Sequence, residues 1–182
     1  MDWRNTTTRY GWLPASLHWL TLLLVVVAYA SMELRGLFPR GSVTREAMKS
    51  WHYVLGISIL VLTLLRLAVL LASPVPADAL SGARWQRVAA KWARLALYCF
   101  LLAMPLLGWL LLSAKGGHVA FAGVEFPALG AQDKGLAGLF EELHEAGATI
   151  GYFLVGLHAA AALHHHYLLR DDTLRRMLPT RR

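Results

Sequence analysis

Residues 143–167 read LHEAGATIGYFLVGLHAAAALHHHY, and the reading of this stretch decides the fold. Between Glu145 and Arg170 lie 24 residues, 146–169, without a formal charge. About 20 apolar residues rising ~1.5 Å each cross a ~30 Å hydrocarbon layer, so the stretch is long enough to span a membrane. Two further runs behave alike: 10–32 between Arg9 and Glu33, and 95–114 between Arg94 and Lys115. A fourth, 51–73, is interrupted only by Arg66. Lipid offers backbone groups no partners, which permits helices or closed barrels, and period-2 alternation is absent. The expectation is an all-α integral membrane four-helix bundle with spans near 14–34, 51–73, 92–114 and 143–167, forming one domain over 1–182.

Composition agrees. Of 182 residues, 57% are hydrophobic and 16% charged, against roughly 45–50% and 25% in soluble domains, which argues against an ordinary soluble fold. The formal net charge of +7 would suggest nucleic acid in a soluble protein, but here the basic residues flank the apolar runs, so no nucleic-acid partner is expected. The single cysteine, Cys99, excludes an internal disulfide and a C-x-x-C-H haem attachment. Its place in an apolar run predicts a packed, inert thiol.

Four spans leave both termini on one side. That side holds eleven basic residues: Arg4 and Arg9, then Arg84, Arg87, Lys91 and Arg94, then Arg170, Arg175, Arg176, Arg181 and Arg182. The other has six: Arg35, Arg40, Arg45, Lys49, Lys115 and Lys134. The positive-inside rule therefore places both termini in the cytoplasm. Arg4, Arg9 and Ala28-Tyr29-Ala30 also resemble a cleavable secretory signal, but His18 sits awkwardly in such a signal's apolar core. Ser73-Pro74-Val75-Pro76 ends the second helix, and 115–142, with Gly116-Gly117 and Pro127, is the longest connection.

Four of eight histidines lie in or at the ends of apolar helices: His18, His52, His144 and His158. An ionisable group there is costly and points to function. His144 and His158 differ by 14 positions, which at ~100° per residue returns to within ~40° of one face while advancing ~21 Å. One helix thus carries two imidazoles at two depths. His18 matches the depth of His158, and His52 that of His144, which makes two pairs on two levels. Each pair could sandwich an iron porphyrin, with neutral imidazole as axial ligand. Zinc or a proton relay could use similar residues, although no cysteine or carboxylate joins either pair. Gly151 lies midway between the levels; with Gly147, Gly156 and Gly56 it either clears room for a cofactor or serves close helix packing. Glu145 is expected to face water. His165 shares the face of His158 and is a rival ligand for His18, though its place nearer the surface favours an interfacial role, shared with His164 and His166. His118 is expected to be exposed.

Ala15-Ser16-Leu17-His18-Trp19-Leu20, Met32-Glu33-Leu34-Arg35-Gly36-Leu37-Phe38-Pro39-Arg40, and Gly151 through Leu163 resemble the bacterial cytochrome b-561 family, most closely its superoxide oxidase members. The resemblance covers nearly the whole chain and is weak in the middle connection and the loop after the third span. It implies a four-helix inner-membrane protein with two haem b groups that takes electrons from superoxide and reduces ubiquinone. It places the family's ligands on His18, His52, His144 and His158. Some relatives carry histidines at the start of the third helix, where this chain has Lys91, Trp92 and Arg94, so any role of those histidines does not transfer.

Two imidazoles per iron leave no open coordination position, which favours outer-sphere electron transfer over oxygen binding. Arg35, Arg40, Arg45 and Lys49 precede His52 and form a candidate funnel for an anion such as superoxide. Arg35 and Arg40 are equally candidates for holding haem propionates. The quinone site is not legible, since Trp51, Trp109 and the aromatics near Phe121 suit an interfacial belt equally. The competing function is an electron-transfer subunit, like the cytochrome b subunits of hydrogenases and formate dehydrogenases, whose outer loop docks a redox partner protein.

Overall fold

Four helices are long and apolar enough to cross a membrane: α1 Trp12–Leu34, α2 Val43–Leu71, α3 Arg84–Ala114 and α4 Lys134–Tyr167. The computed structural model describes residues 3, 5–6, 10–74, 83–121 and 124–178; Arg4, Arg9, Arg181, Arg182 and the Val75-Pro76 part of the helix-ending motif lie outside them. Three helices begin eight or nine residues before the expected spans. Hydropathy marks where lipid lies, whereas caps set the ends. Ser42 accepts the Arg45 amide at 3.3 Å with Glu46 in the first turn of α2, and Asp133 accepts the Gly135 and Leu136 amides at 2.8 and 3.0 Å.

A 3₁₀ turn, Arg35–Leu37, leads from α1 into a tight turn in which the Ser42 amide donates to the Pro39 carbonyl at 3.2 Å. Gly41 takes φ +78° there, and Gly116 takes the same angle just past α3, where the Gly117 amide closes on the Leu112 carbonyl. The long α3–α4 connection holds a small hairpin, β1 Val119–Phe121 with β2 Val124–Phe126, in the register Val119 opposite Phe126. Three-residue strands are too short to leave a period in the sequence. Trp109 braces this hairpin, donating to the Pro127 carbonyl at 3.1 Å and meeting the Phe126 ring edge-on at 5.8 Å.

The helices pack in chain order, α1 along α2, α2 along α3, α3 along α4. The remaining seam, α1 to α4, is bridged by long side chains. Tyr29 donates to the Ala148 carbonyl at 2.8 Å, and Tyr152 to Glu33 at 2.7 Å. At mid-height Val25, Ala28, Leu55, Ile59 and Leu101 form the core, with Leu24, Tyr29 and Phe100 against it. Threonine hydroxyls here bond to their own helices, Thr21 to the Leu17 carbonyl and Thr63 to that of Ile59. Phe153 and Leu157, 75% and 72% exposed on a helix of spanning length, form an outward apolar surface suited to lipid.

Two expectations are corrected. Cys99 is exposed, because it sits two residues, about 200° around the helix, from buried Leu101. Gly147 and Gly151 do not open a slot: a Cβ at 147 would strike the Met104 sulfur, and one at 151 the Tyr29 hydroxyl and Phe100 ring. They permit close packing between the two histidine levels. Gly151→Ala is therefore expected to displace Tyr29 from the Ala148 carbonyl and destabilise the bundle by ~1–3 kcal/mol, measured as detergent-solubilised thermal unfolding. Unchanged stability would show that these rings yield freely.

At the end bearing the termini, the chain after α4 folds back. His165 Nδ1 meets Asp171 at 2.6 Å, the Asp171 amide donates to the His165 carbonyl at 3.1 Å, and the Trp19 indole donates to the Met177 carbonyl at 2.8 Å. Burial alone would raise the Asp171 carboxyl, but hydrogen bonds from Thr173 and His165 outweigh it and hold the group below the ordinary aspartate range. A depressed carboxyl stabilises the fold above its unfolded value and loses that contribution as pH falls through the folded one. Asp171→Asn should accordingly lower the melting temperature at neutral pH, with the difference from the unmodified chain vanishing as pH drops through that window. A gap that persists in acid would show that the carboxylate charge is not its source.

Candidate haem site

The four spanning histidines fall into the two expected pairs. The His18 and His158 rings have centroids 6.3 Å apart with planes at 63°, and those of His52 and His144 are 6.2 Å apart at 84°. Helix α4 supplies one imidazole to each level, and α1 and α2 supply the partners. The core cluster lies between the levels as an apolar partition.

At the level near the α1–α2 turn, His52 Nδ1–H donates to the Ala28 carbonyl at 3.1 Å, which also accepts the Ser31 hydroxyl at 2.7 Å. That hydrogen bond assigns the proton to Nδ1 and leaves Nε2 with its lone pair, the state a metal ligand needs. His144 Nδ1 is buried beside the Met104 carbonyl. A Cβ on Gly108 would stand 3.1 Å from His144 Cε1, whereas one on Gly56, a turn after His52, would meet nothing within 4 Å. His52, Gly56, Gly108, Trp109 and His144 line one small cavity.

At the other level His18 Nδ1 lies 3.3 Å from an Arg66 guanidinium nitrogen, and its ring meets Trp19 edge-on at 5.4 Å. His158 is exposed and the other three histidines are half-buried. Two metal–nitrogen bonds of ~2 Å, with each nitrogen ~1 Å from its ring centroid, put the centroids of two trans imidazoles about 6 Å apart. Both pairs match that spacing. Among the described residues no group of three or more histidine, cysteine or acidic side chains gathers, so neither pair resembles the four-ligand set of a structural zinc site. A planar cofactor with in-plane ligands of its own is what two facing imidazoles suit.

The other candidates sort clearly. The imidazole that meets His18 is that of His158, while His165 turns to Asp171, so the structure does not bring the rival ligand to His18. His118 is exposed, 3.6 Å from Glu125, and Glu145 is exposed too, both as expected. Of the four cations before His52, Lys49 pairs with Glu46 at 2.9 Å and Arg45 donates to the Phe38 carbonyl at 2.9 Å. No carboxylate pairs with Arg35 or Arg40 among the described residues, and Arg35 is within electrostatic reach of His52. Gly108, the Ala28 carbonyl and the Arg66 contact are absent from the sequence reading. Gly108 and Arg66 left signals there, a glycine in a leucine-rich run and a lone charge in an apolar span.

A model of the prokaryotic cytochrome b561 family matches residues 9–180. The chain is 42% identical over 174 residues to "Cytochrome b561 homolog 1" of Escherichia coli K12, covering 96% of this chain and 99% of that protein. It is 36% identical over 174 residues to "Probable superoxide oxidase CybB" of Yersinia pestis, covering 96% and 98%. Over 188 residues it is 31% identical to "Cytochrome b561 homolog 2" of Escherichia coli K12, covering 98% and 95%. With a family match across nearly its full length and relatives of almost its own size, this four-helix membrane haem protein belongs to the prokaryotic cytochrome b561 family.

Proposed function

We propose that the chain is a dihaem superoxide oxidase of the bacterial inner membrane, with both termini cytoplasmic, that takes electrons from superoxide on the periplasmic side and delivers them to ubiquinone. His52 and His144 would hold the outer haem b, and His18 and His158 the inner. The observation that carries the reading is the pair of imidazole spacings, 6.3 and 6.2 Å, at two levels of one bundle. A relative 36% identical over 96% of the chain bears the name of a probable superoxide oxidase, which supports the choice of donor.

When bound, each haem would supply a one-electron carrier. With both imidazoles of a level engaged in holding it, outer-sphere electron transfer would be favoured over oxygen binding. The Ala28 carbonyl orients His52 for that role, and the apolar partition around Leu55, Ile59 and Leu101 would keep water from the space between levels. Arg35 and Arg40 draw the superoxide anion toward the outer level. Each superoxide loses one electron and leaves as dioxygen; two electrons and two protons convert one quinone to quinol.

The experiment supplies superoxide to the purified protein with a ubiquinone analogue. Haem reduction faster than the protein-free control, followed by quinol formation, is expected. No faster reduction sinks the superoxide reading, and activity that appears only after a partner dehydrogenase is added would favour the electron-transfer subunit.

A further inference from the structure

Arg66 is the only formally charged residue within 51–73, and the function above makes no use of it. An intramembrane guanidinium is kept where something satisfies its five donors. Its partners among the described residues are both neutral: His18 Nδ1 at 3.3 Å, and Tyr98, which takes a side-chain hydrogen bond and whose ring centroid lies 5.5 Å from Cζ. Among the described residues none of the ion pairs involves Arg66.

The contact with His18 conflicts with ligation. A guanidinium only donates, so His18 Nδ1 must accept, which puts the imidazole proton on Nε2. A neutral imidazole that binds a metal through Nε2 carries its proton on Nδ1. Ligation through Nε2 and the Arg66 contact therefore exclude one another, and a liganded His18 would leave Arg66 with Tyr98 and no charged partner. Haem b carries two propionate carboxylates, and a carboxylate matches the guanidinium fork in both geometry and charge. Arg66 on α2 has the reach to turn from His18 toward a group held beside that ring, and Arg94 on α3 stands within electrostatic range of His158.

We propose that Arg66 binds a propionate of the haem held between His18 and His158 and, as a fixed positive charge beside it, raises that haem's potential. The proposal rests on the inner haem of the preceding reading.

The test is a potentiometric titration of the purified, haem-loaded protein as unmodified chain, Arg66→Gln and Arg66→Lys, with haem counted per chain. The inner haem is identified as the one lost in His158→Ala. At a fixed poise Arg66→Gln should lower the reduced-to-oxidised ratio of the inner haem at least tenfold, ~59 mV for a one-electron couple, while Arg66→Lys stays within threefold and the outer haem is unmoved. Selective loss of the inner haem in Arg66→Gln, with Arg66→Lys keeping it, supports the same anchorage. Two haems with unmoved potentials in Arg66→Gln overturn the proposal and leave Arg66 a packing partner of His18. Should both variants lose the inner haem, apoprotein of the unmodified chain is loaded with haem b or with its dimethyl ester. At least tenfold weaker inner binding of the ester upholds the proposal, and equal binding overturns it. Unmodified protein lacking the inner haem overturns the underlying reading and the proposal together.

Discussion

Alanine at His52 and alanine at His144 should each reduce haem content from two per chain to one and abolish the same spectral component, while alanine at His18 or His158 abolishes the other. The expectation follows from the pairing: rings 6.2 and 6.3 Å apart can share an iron, and the 14-position separation of His144 and His158 puts the two levels ~21 Å apart along α4. Loss of even an outer-shell partner typically weakens metal binding 10–100-fold, and loss of an axial ligand exceeds that. Measured by haem assay and difference spectra, crossed losses, such as His52 and His158 removing one component, would break the pairing. Loss of both haems in every variant would instead indicate that each site requires the other to fold.

Replacing both Arg35 and Arg40 by serine is expected to slow superoxide-driven haem reduction by about tenfold or more at low ionic strength, since a focused charge raises anion on-rates by 10–10³. The difference should shrink toward 1 M salt, where the screening length falls to ~3 Å. The same experiment on Lys49→Ser should give little, because Glu46 already neutralises that ammonium at 2.9 Å. Stopped-flow rates across a salt series decide it. Salt-independent loss in the double variant would assign Arg35 and Arg40 to holding the outer haem's propionates rather than to steering.

The sequence carries the vertical order of this protein well and its rotational order poorly. Three charge-free runs and a fourth broken only by Arg66 mark the four spans, and histidine spacing along α4 marks the levels. Which way each helix faces is hidden, because in a membrane the core side and the lipid side are both apolar and no amphipathic stripe separates them. That is why Cys99 is found outside, and why Gly147 and Gly151 meet Met104, Tyr29 and Phe100. The same blindness hid Gly108 against His144, a contact between α3 and α4, and Arg66 against His18, between α2 and α1. His165 is a different case: its partner Asp171 is only six residues away, but the contact depends on the chain reversing at Arg170, which takes a left-handed φ of 53° that few non-glycine residues adopt.

The central claim is that two imidazole pairs at two depths hold two haems. The most direct measurement is the haem-to-chain ratio of the purified protein, with low-temperature electron paramagnetic resonance of its oxidised form. Two b-type haems per chain, both with the low-spin signature of bis-histidine iron, are predicted. A ratio of one, or a high-spin iron with an open axial position in the intact protein, would contradict it.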